Sequence, residues 1–166
     1  MENYKIIDNF LEYNDFIFIK SQIENNMFPW YYSEVIQNKA QSEIDVKYNF
    51  QFVHIFYREK KQNSSQFALL DKLIEKIQPK CLLKVKANLN PVSDKIIEHG
   101  YHVDFLNATT CVFYVNSNDG YTKFQDGTVI NSLENRAVFF DSNLLHTGTT
   151  VTDQPYRIVI NINFME

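Results

Sequence analysis

The sequence predicts a mainly β protein, a sandwich or jelly roll of antiparallel strands with two N-terminal helices against one outer face. Three observations carry this. Aromatic residues make up 15% of the chain, with 14 Phe and 10 Tyr against only 4 Gly, and such side chains fit a pleated, half-buried surface. The second half breaks into short alternating runs separated by turn signals at NSNDG, QDG, DSN and TDQP. Two stretches, both in the first half, repeat apolar residues at helical spacing. Evenly spaced short antiparallel strands of this kind suit a sandwich or jelly roll.

The elements follow in order. YKIIDNFL opens the chain as a strand. NDFIFIKSQIENN is a helix, because Phe16, Ile19 and Ile23 share one face and Asn14 is placed to cap it. FPWYYS is extended and aromatic, and YNFQFVHIFY, 48–57, alternates as a strand. His54 lies within that strand and reads as structural. The polar stretch REKKQNSSQ, 58–66, reads as an exposed loop, with a mobile lid as its functional reading. SSQFALLDKLIEKIQ is the second helix, with Phe67, Leu70, Leu73, Ile74 and Ile77 on one face, Ser64 or Ser65 as cap and Pro79 as its end. KCLLKVKANLN alternates until Pro91, and its Lys84 and Lys86 read as an exposed face. YHVDF, TTCVFYVN, TKFQDGTVI, RAVFFD, LLHTGTTV and YRIVININF supply the remaining strands and turns.

At 166 residues the whole chain, 1–166, reads as one domain, with helices mainly in 1–98 and the jelly-roll core over about 80–166. The net charge of −4 leaves no basic footprint for nucleic acid. It still allows a small anionic ligand held by one or two local cations. Cys81 and Cys111 are too few for a disulfide scaffold, and each sits in an apolar run that predicts burial. The start MENYKIIDNF lacks the marks of a signal peptide, and no segment approaches the ~20 apolar residues of a membrane span. The expectation is a cytoplasmic, reduced protein that meets no membrane.

The chemistry concentrates in EHGYHVDF, 98–105. Residues two apart on a strand point the same way, so His102 and Asp104 share a face. An imidazole and a carboxylate so placed can bind one metal ion, and a second histidine would complete a facial triad for non-haem iron. His146, 42 residues after Asp104, is the candidate. His99 has no carboxylate two residues on and reads as structural. A lone H-x-D is a weak signal. Arg157 strengthens it, for it lies 11 residues after His146 on an otherwise apolar strand. Ile158, Ile160, Ile162 and Phe164 form one face of that strand; Arg157, Val159, Asn161 and Asn163 form the other. A buried guanidinium is costly unless paired, and no acidic partner is obvious nearby. An anionic ligand with a carboxylate would match its planar fork.

H-x-D, a distal His and an Arg about ten residues later resemble the Fe(II)- and 2-oxoglutarate-dependent oxygenases, above all the prolyl-4-hydroxylase-like branch. The resemblance covers about 102–164. TTCVFYVN is similar to that branch's YLN strand, and DGYTKF is similar to its GG-x-T-x-F segment, with Asp119 where the first glycine is usual. LLKVKANLNP resembles the strand before H-x-D in small relatives. This resemblance implies a cupin-like double-stranded β-helix, with His102, Asp104 and His146 binding Fe(II). It implies Arg157 and Tyr114 on the distal carboxylate of 2-oxoglutarate, with Asn161 and Asn88 as further cosubstrate contacts. Dioxygen is the co-reactant and ascorbate an accessory candidate. The implied reaction is hydroxylation of a peptidyl (prolyl) residue or amino acid, with release of succinate and CO2. The carboxylate of Asp104 sets this apart from related halogenases, which have a small residue there. Two readings of the residues stand beside it. One is a cupin-like jelly roll using the same ligands without 2-oxoglutarate, and the other a non-catalytic β-sandwich binder. The partner is then a peptide, a protein or a small molecule, read by the N-terminal half and the rim loops.

Overall fold

Tyr156–Met165, the last strand (β11), has a neighbour on each side. It runs antiparallel to β5, Cys81–Pro91, along one edge and to β6, Thr109–Tyr114, along the other. Its alternation is the one the sequence predicts. Ile158, Ile160, Ile162 and Phe164 are buried on one face, while Arg157, Val159 and Asn163 are buried on the other. The computed structural model describes residues 4–35 and 50–166. Among these, the large sheet continues through β9, Arg136–Asp141, to β1, Tyr4–Ile7, on one side. On the other it continues through β3, Phe50–Arg58, to β2, Tyr31–Glu34, with the short β4, Lys61–Gln62, also on β3. A small sheet of β10, His146–Gly148, β7, Tyr121–Phe124, and β8, Val129–Asn131, covers the inner face. This is the expected mainly antiparallel jelly roll, a double-stranded β-helix.

Each face has its own core. On the outer face, Ile158, Ile160 and Ile162 join Val85, Ala87, Cys111 and Phe113 beneath helix α1, Tyr13–Ile23, and helix α2, Asp71–Ile77. Phe16, Ile19 and Ile23 of α1 and Leu73 of α2 are the buried helical residues there, as their spacing predicts. Each fully buried isoleucine contributes about 1.5–3 kcal/mol, so this face anchors the sheet. On the inner face, Val112, Tyr114, Val138, Phe140 and Val159 meet Phe124 and Ile130 of the small sheet.

Several local expectations need correction. Asn14 does not cap α1; Glu12 holds the N-cap position and makes no side-chain cap bond. The second helix starts as a 3-10 turn over Ser65–Leu70, capped by the Ser64 hydroxyl, and becomes α-helical only at Asp71. Stretch 58–66 is largely a tight hairpin. Glu59 and Lys60 both take positive φ, as the two central residues of a type I′ turn do. Cys81 is exposed at the end of β5, whereas Cys111 is buried. YHVDF forms no strand: one antiparallel bridge, His102 to His146, ties it to β10. The reason is that the segment leaves the sheet on both sides of that bridge, so only one pair stays in register. Residues 48 and 49 of the expected strand lie outside the described residues. No helix among the described residues is long and apolar enough to cross a membrane.

Candidate metal centre

His102 and His146 exchange two backbone hydrogen bonds, each 3.0 Å from nitrogen to oxygen. This bridge sets both imidazoles side by side, with ring centroids 4.6 Å apart. A third backbone bond, from Asp104 N–H to the Ser142 carbonyl at 3.2 Å, brings the carboxylate to the same point. The ligand atoms of His102, Asp104 and His146 lie within 4.8 Å of one another. Each Nε2 is 3.8 Å from a different oxygen of Asp104.

The surrounding hydrogen bonds fix the chemistry of each group. His146 Nδ1 donates to the Leu144 carbonyl at 2.9 Å, and His102 Nδ1 donates to the Gly100 carbonyl at 3.2 Å. A carbonyl only accepts, so both protons sit on Nδ1 and both Nε2 lone pairs face the centre. Phe140 and Phe124 wall the His146 ring at 4.8 and 6.0 Å between centroids. Asp104 Oδ2 accepts from Thr110 Oγ1 and from Asn163 Nδ2, both at 3.0 Å. The single Thr110 proton is then committed, so Ser142 is the donor in the 2.7 Å Thr110–Ser142 bond. Burial works against the Asp104 carboxylate, but His146, His102 and the bonds from Asn163 and Thr110 outweigh it. Its carboxyl titrates below the ordinary value and is ionised at neutral pH. Burial and His102 lower the His146 pKa, against opposing effects of Asp104 and Leu144, which favours the neutral ligand form.

A cavity leads from this centre along β11 and β5 to Arg157. Arg157 is 2% exposed. Its Nε donates to Ser132 Oγ at 2.8 Å, and Nη2 donates to Thr122 Oγ1 at 3.2 Å. Tyr114 OH also donates to Thr122 Oγ1, at 2.7 Å, and the guanidinium carbon sits 5.6 Å from the Tyr114 ring centre. Among the described residues, no carboxylate stands within ion-pair distance of Arg157. Burial raises the Tyr114 pKa, so its hydroxyl keeps its proton and remains a donor.

Two glycines make room for the guanidinium. A Cβ on Gly120 would lie 2.6 Å from Arg157 Cδ and 2.8 Å from the Thr150 carbonyl oxygen, whereas one on Gly148 would meet Arg157 Nη1 at 3.5 Å. Asp119, beside Gly120, accepts from the Thr152 backbone N–H at 2.9 Å and from its hydroxyl. Its carboxylate thus pins the turn to the loop that leads into β11.

Asn88 and Asn161 both line the cavity, and the Oδ1 of each lacks a hydrogen-bond partner among the described residues. His99 also lines it, buried, with neither ring nitrogen partnered. Burial, then Arg157 and His102, pull its pKa down to about 4. His54 is different. It faces the outer core against Phe28 and Phe56, with Nδ1 donating to the Pro29 carbonyl and Nε2 bonded to Ser64 Oγ. It is a satisfied structural histidine, as the sequence suggests.

No protein-family model matches the chain, and no curated protein matches it. Solved structures do. The viral collagen prolyl hydroxylase of Paramecium Bursaria Chlorella virus-1, in its 2-oxoglutarate complex, superposes with TM-score 0.63 at 16% identity, over 98% of this chain and 95% of that one. A Trichoplax adhaerens prolyl hydroxylase, solved with a peptide fragment of the hypoxia inducible factor, gives 0.61 at 13%, over 99% and 84%. The α-ketoglutarate-dependent epimerase SnoN of nogalamycin biosynthesis gives 0.65 at 10%, over 99% and 76%. The fold is that of the 2-oxoglutarate/Fe(II) oxygenases.

Sequence reading brought forward His102, Asp104 and His146, Arg157 and Tyr114 but missed part of the lining. Lys86 faces the cavity and is not on an exposed face. Its position was readable, since it is two residues from Asn88 on one strand. His99 gave no such signal, because its burial depends on backbone bonds to the β10 side, His99 N–H to the Gly148 carbonyl at 3.0 Å. Thr110, Ser142, Thr122 and Ser132 are likewise ordinary residues in sequence.

Two tests follow. Gly120→Ala is expected to destabilise the protein by about 1–3 kcal/mol in urea unfolding, because neither Arg157 nor the Thr150 backbone can give way. Gly148→Ala should stay within about 0.5 kcal/mol of the parent. Equal effects would show that Arg157 does not crowd Gly120. The second test concerns His99, whose folded pKa of about 4 lies below its ordinary 6.5. Between these values the unfolded chain binds the proton that the folded protein refuses. Stability is therefore full above pH 6.5 and declines as the pH falls toward 4, by about 3 kcal/mol from this group. In metal-free protein, His99→Gln should flatten the loss measured between pH 7 and 4.5. His146 contributes in the same direction and leaves a residual slope. An unchanged slope would rule out a neutral buried His99.

Proposed function

We propose that this protein is an Fe(II)- and 2-oxoglutarate-dependent dioxygenase that hydroxylates a peptidyl (prolyl) residue or an amino acid. One observation carries the reading. A fully buried arginine with no carboxylate partner among the described residues shares a narrow cavity with a His–Asp–His set. Burying an unpaired charge costs several kcal/mol, and a ligand with a distal carboxylate removes that penalty. A metal-binding jelly roll without 2-oxoglutarate leaves the guanidinium unexplained.

In this reading His102 and His146 bind Fe(II) through Nε2, and Asp104 supplies the third ligand. Three protein ligands leave positions open for a chelating cosubstrate and for dioxygen. When bound, Fe(II) and 2-oxoglutarate supply the oxidising chemistry, with succinate and CO2 as products. The chain's own residues do the positioning. Thr110 and Asn163 keep Asp104 ionised and oriented. Arg157 grips the distal carboxylate from Nη1, while Ser132 and Thr122 hold the rest of its fork still. Tyr114 lies at the same end, and its hydroxyl would have to leave Thr122 to donate to that carboxylate. Asn88 and Asn161 line the same cavity and can each donate an amide N–H to the cosubstrate. Phe124, Phe140 and Val159 exclude water around them. Peptide and small-molecule substrates both occur among proteins of this fold, as the Trichoplax hydroxylase and SnoN illustrate. A reducing cytoplasm fits the two free cysteines.

Anaerobic addition of Fe(II) and 2-oxoglutarate should give the visible charge-transfer band of the chelate. A folded sample without that band would sink the proposal. Arg157→Ala should weaken 2-oxoglutarate binding by roughly 100-fold, about 3 kcal/mol, while metal affinity stays within twofold. Equal loss of both would mean that Arg157 supports the metal centre instead.

A further inference from the structure

We propose that the primary substrate carries a carboxylate and that Lys86 grips it beside the metal centre. The proposal rests on the oxygenase reading, because it takes the remaining cations of that cavity as already used. Lys86 lines the same cavity as His102, His146 and Arg157. Its position follows from register. On β5, Asn90 pairs with Arg157, Asn88 with Val159, Lys86 with Asn161 and Lys84 with Asn163. Paired residues of an antiparallel sheet share a face, so Lys86 and Lys84 mark the metal end of the cavity while Asn90 marks the Arg157 end. Arg58 of β3 pairs with Lys84 in register, but its guanidinium is held by Glu59 at 3.1 Å. Lys86 and Lys84 are thus the two lysines at the metal end, in a chain whose net charge is −4.

Lys86, half-buried like Lys84, differs from Lys84 and from exposed Arg58 in lining that cavity. Burial, then Lys84, lower its pKa to about 8, and Asp104 opposes this. No carboxylate among the described residues comes within ion-pair distance of its ammonium. Asp104 is beyond that distance and holds Thr110 and Asn163. The cosubstrate does not account for Lys86. 2-Oxoglutarate has two carboxylates, about 5 Å apart along four bonds. In the oxygenase reading one end lies on Arg157 and the other on the metal. Lys86 stands four residues from Asn90, roughly 13 Å along the strand and out of reach of the carboxylate on Arg157, and the carboxylate at the metal would already have the metal as its counter-charge. A second anion, brought by the molecule to be oxidised, gives Lys86 a partner. Lys84 lies farther out along β5, where it attracts an anion without enclosing it. One ammonium lining the cavity suits one carboxylate.

The test uses the whole chain loaded with 2-oxoglutarate and Zn(II), which has no redox chemistry. The protein amino acids are titrated calorimetrically as free acids and as C-terminal amides. The same pairs are then assayed with Fe(II) for stimulated succinate release. At least one acid is expected to bind tenfold or more tightly than its amide. Lys86→Met should erase that difference and Lys86→Arg should keep it, with 2-oxoglutarate affinity within twofold in all three proteins. If the preference survives in the amides of aspartate and glutamate, the recognised carboxylate is that of a side chain; if it is lost there, it is the α-carboxylate. Equal binding of acids and amides, or binding of no acid, overturns the proposal. A tenfold loss of 2-oxoglutarate affinity in Lys86→Met also overturns it, by making Lys86 a cosubstrate residue. Failure of the oxygenase reading is separate: the parent protein would then give no chelate band with Fe(II) and 2-oxoglutarate.

Discussion

β11 is held between β5 and β6 in one register, and a slip of a single residue would turn its entire inner set outward. Arg157, Asn161 and Asn163 would then face the helices, and four large apolar side chains would fill the cavity. The outer core prevents this. Ile158, Ile160 and Ile162 are essentially fully buried under α1 and α2, and exposing them would cost more than any polar contact of the site returns. The helices therefore serve the cavity without touching it. They fix which face of one strand is apolar, and so where a guanidinium and an amide are buried opposite.

The candidate metal centre depends on that register at one remove. Asp104 sits outside regular structure, yet both hydrogen bonds to its Oδ2 come from the large sheet, from Thr110 on β6 and Asn163 on β11. These two residues are paired across the strands and bonded to each other, Asn163 Nδ2 to Thr110 Oγ1 at 2.9 Å. The carboxylate is thus located by a rigid pair of neighbours, while the imidazoles are located by the His102–His146 backbone bridge. Groups held by two independent frames keep their separation when loops move, which is what a three-point ligand set requires.

Much of this was legible before any coordinates. Alternation alone gave the two faces of β11 and put His102 and Asp104 on one side. The need for a second histidine made His146 the candidate, and the resemblance to oxygenases picked out Tyr114. The unread parts share a physical cause. YHVDF looks like a strand because its composition is strand-like, but only one of its residues finds a partner in register. His99 becomes a cavity residue through long-range backbone bonds that leave no local pattern. Lys86 was misread for another reason. Alternating lysines usually mark a solvated face, and only the pairing of β5 with β11 reveals that this face is the interior. Ser132 and Thr122 matter because Arg157 reaches them, and nothing in a serine or a threonine announces that.

The distribution of charge ties these strands of argument together. The chain is acidic overall, yet two of its cations, the buried Arg157 and the half-buried Lys86, line one cavity without carboxylate partners among the described residues. In a low-dielectric interior, like charges raise each other's cost, and Asp104 offsets only part of it. A fold under no other demand would replace one of them with an apolar side chain of similar size at little loss. Retaining both makes physical sense only if anions arrive from outside. The two positions also differ in kind. Arg157 is clamped by hydroxyls and a tyrosine ring, which suits a partner that always presents the same planar group. Lys86 has a flexible stem and one compact charge, which tolerates a partner approaching from the open side. The cavity thus divides into a fixed end and an adaptable end, with the His–Asp–His set toward the adaptable one.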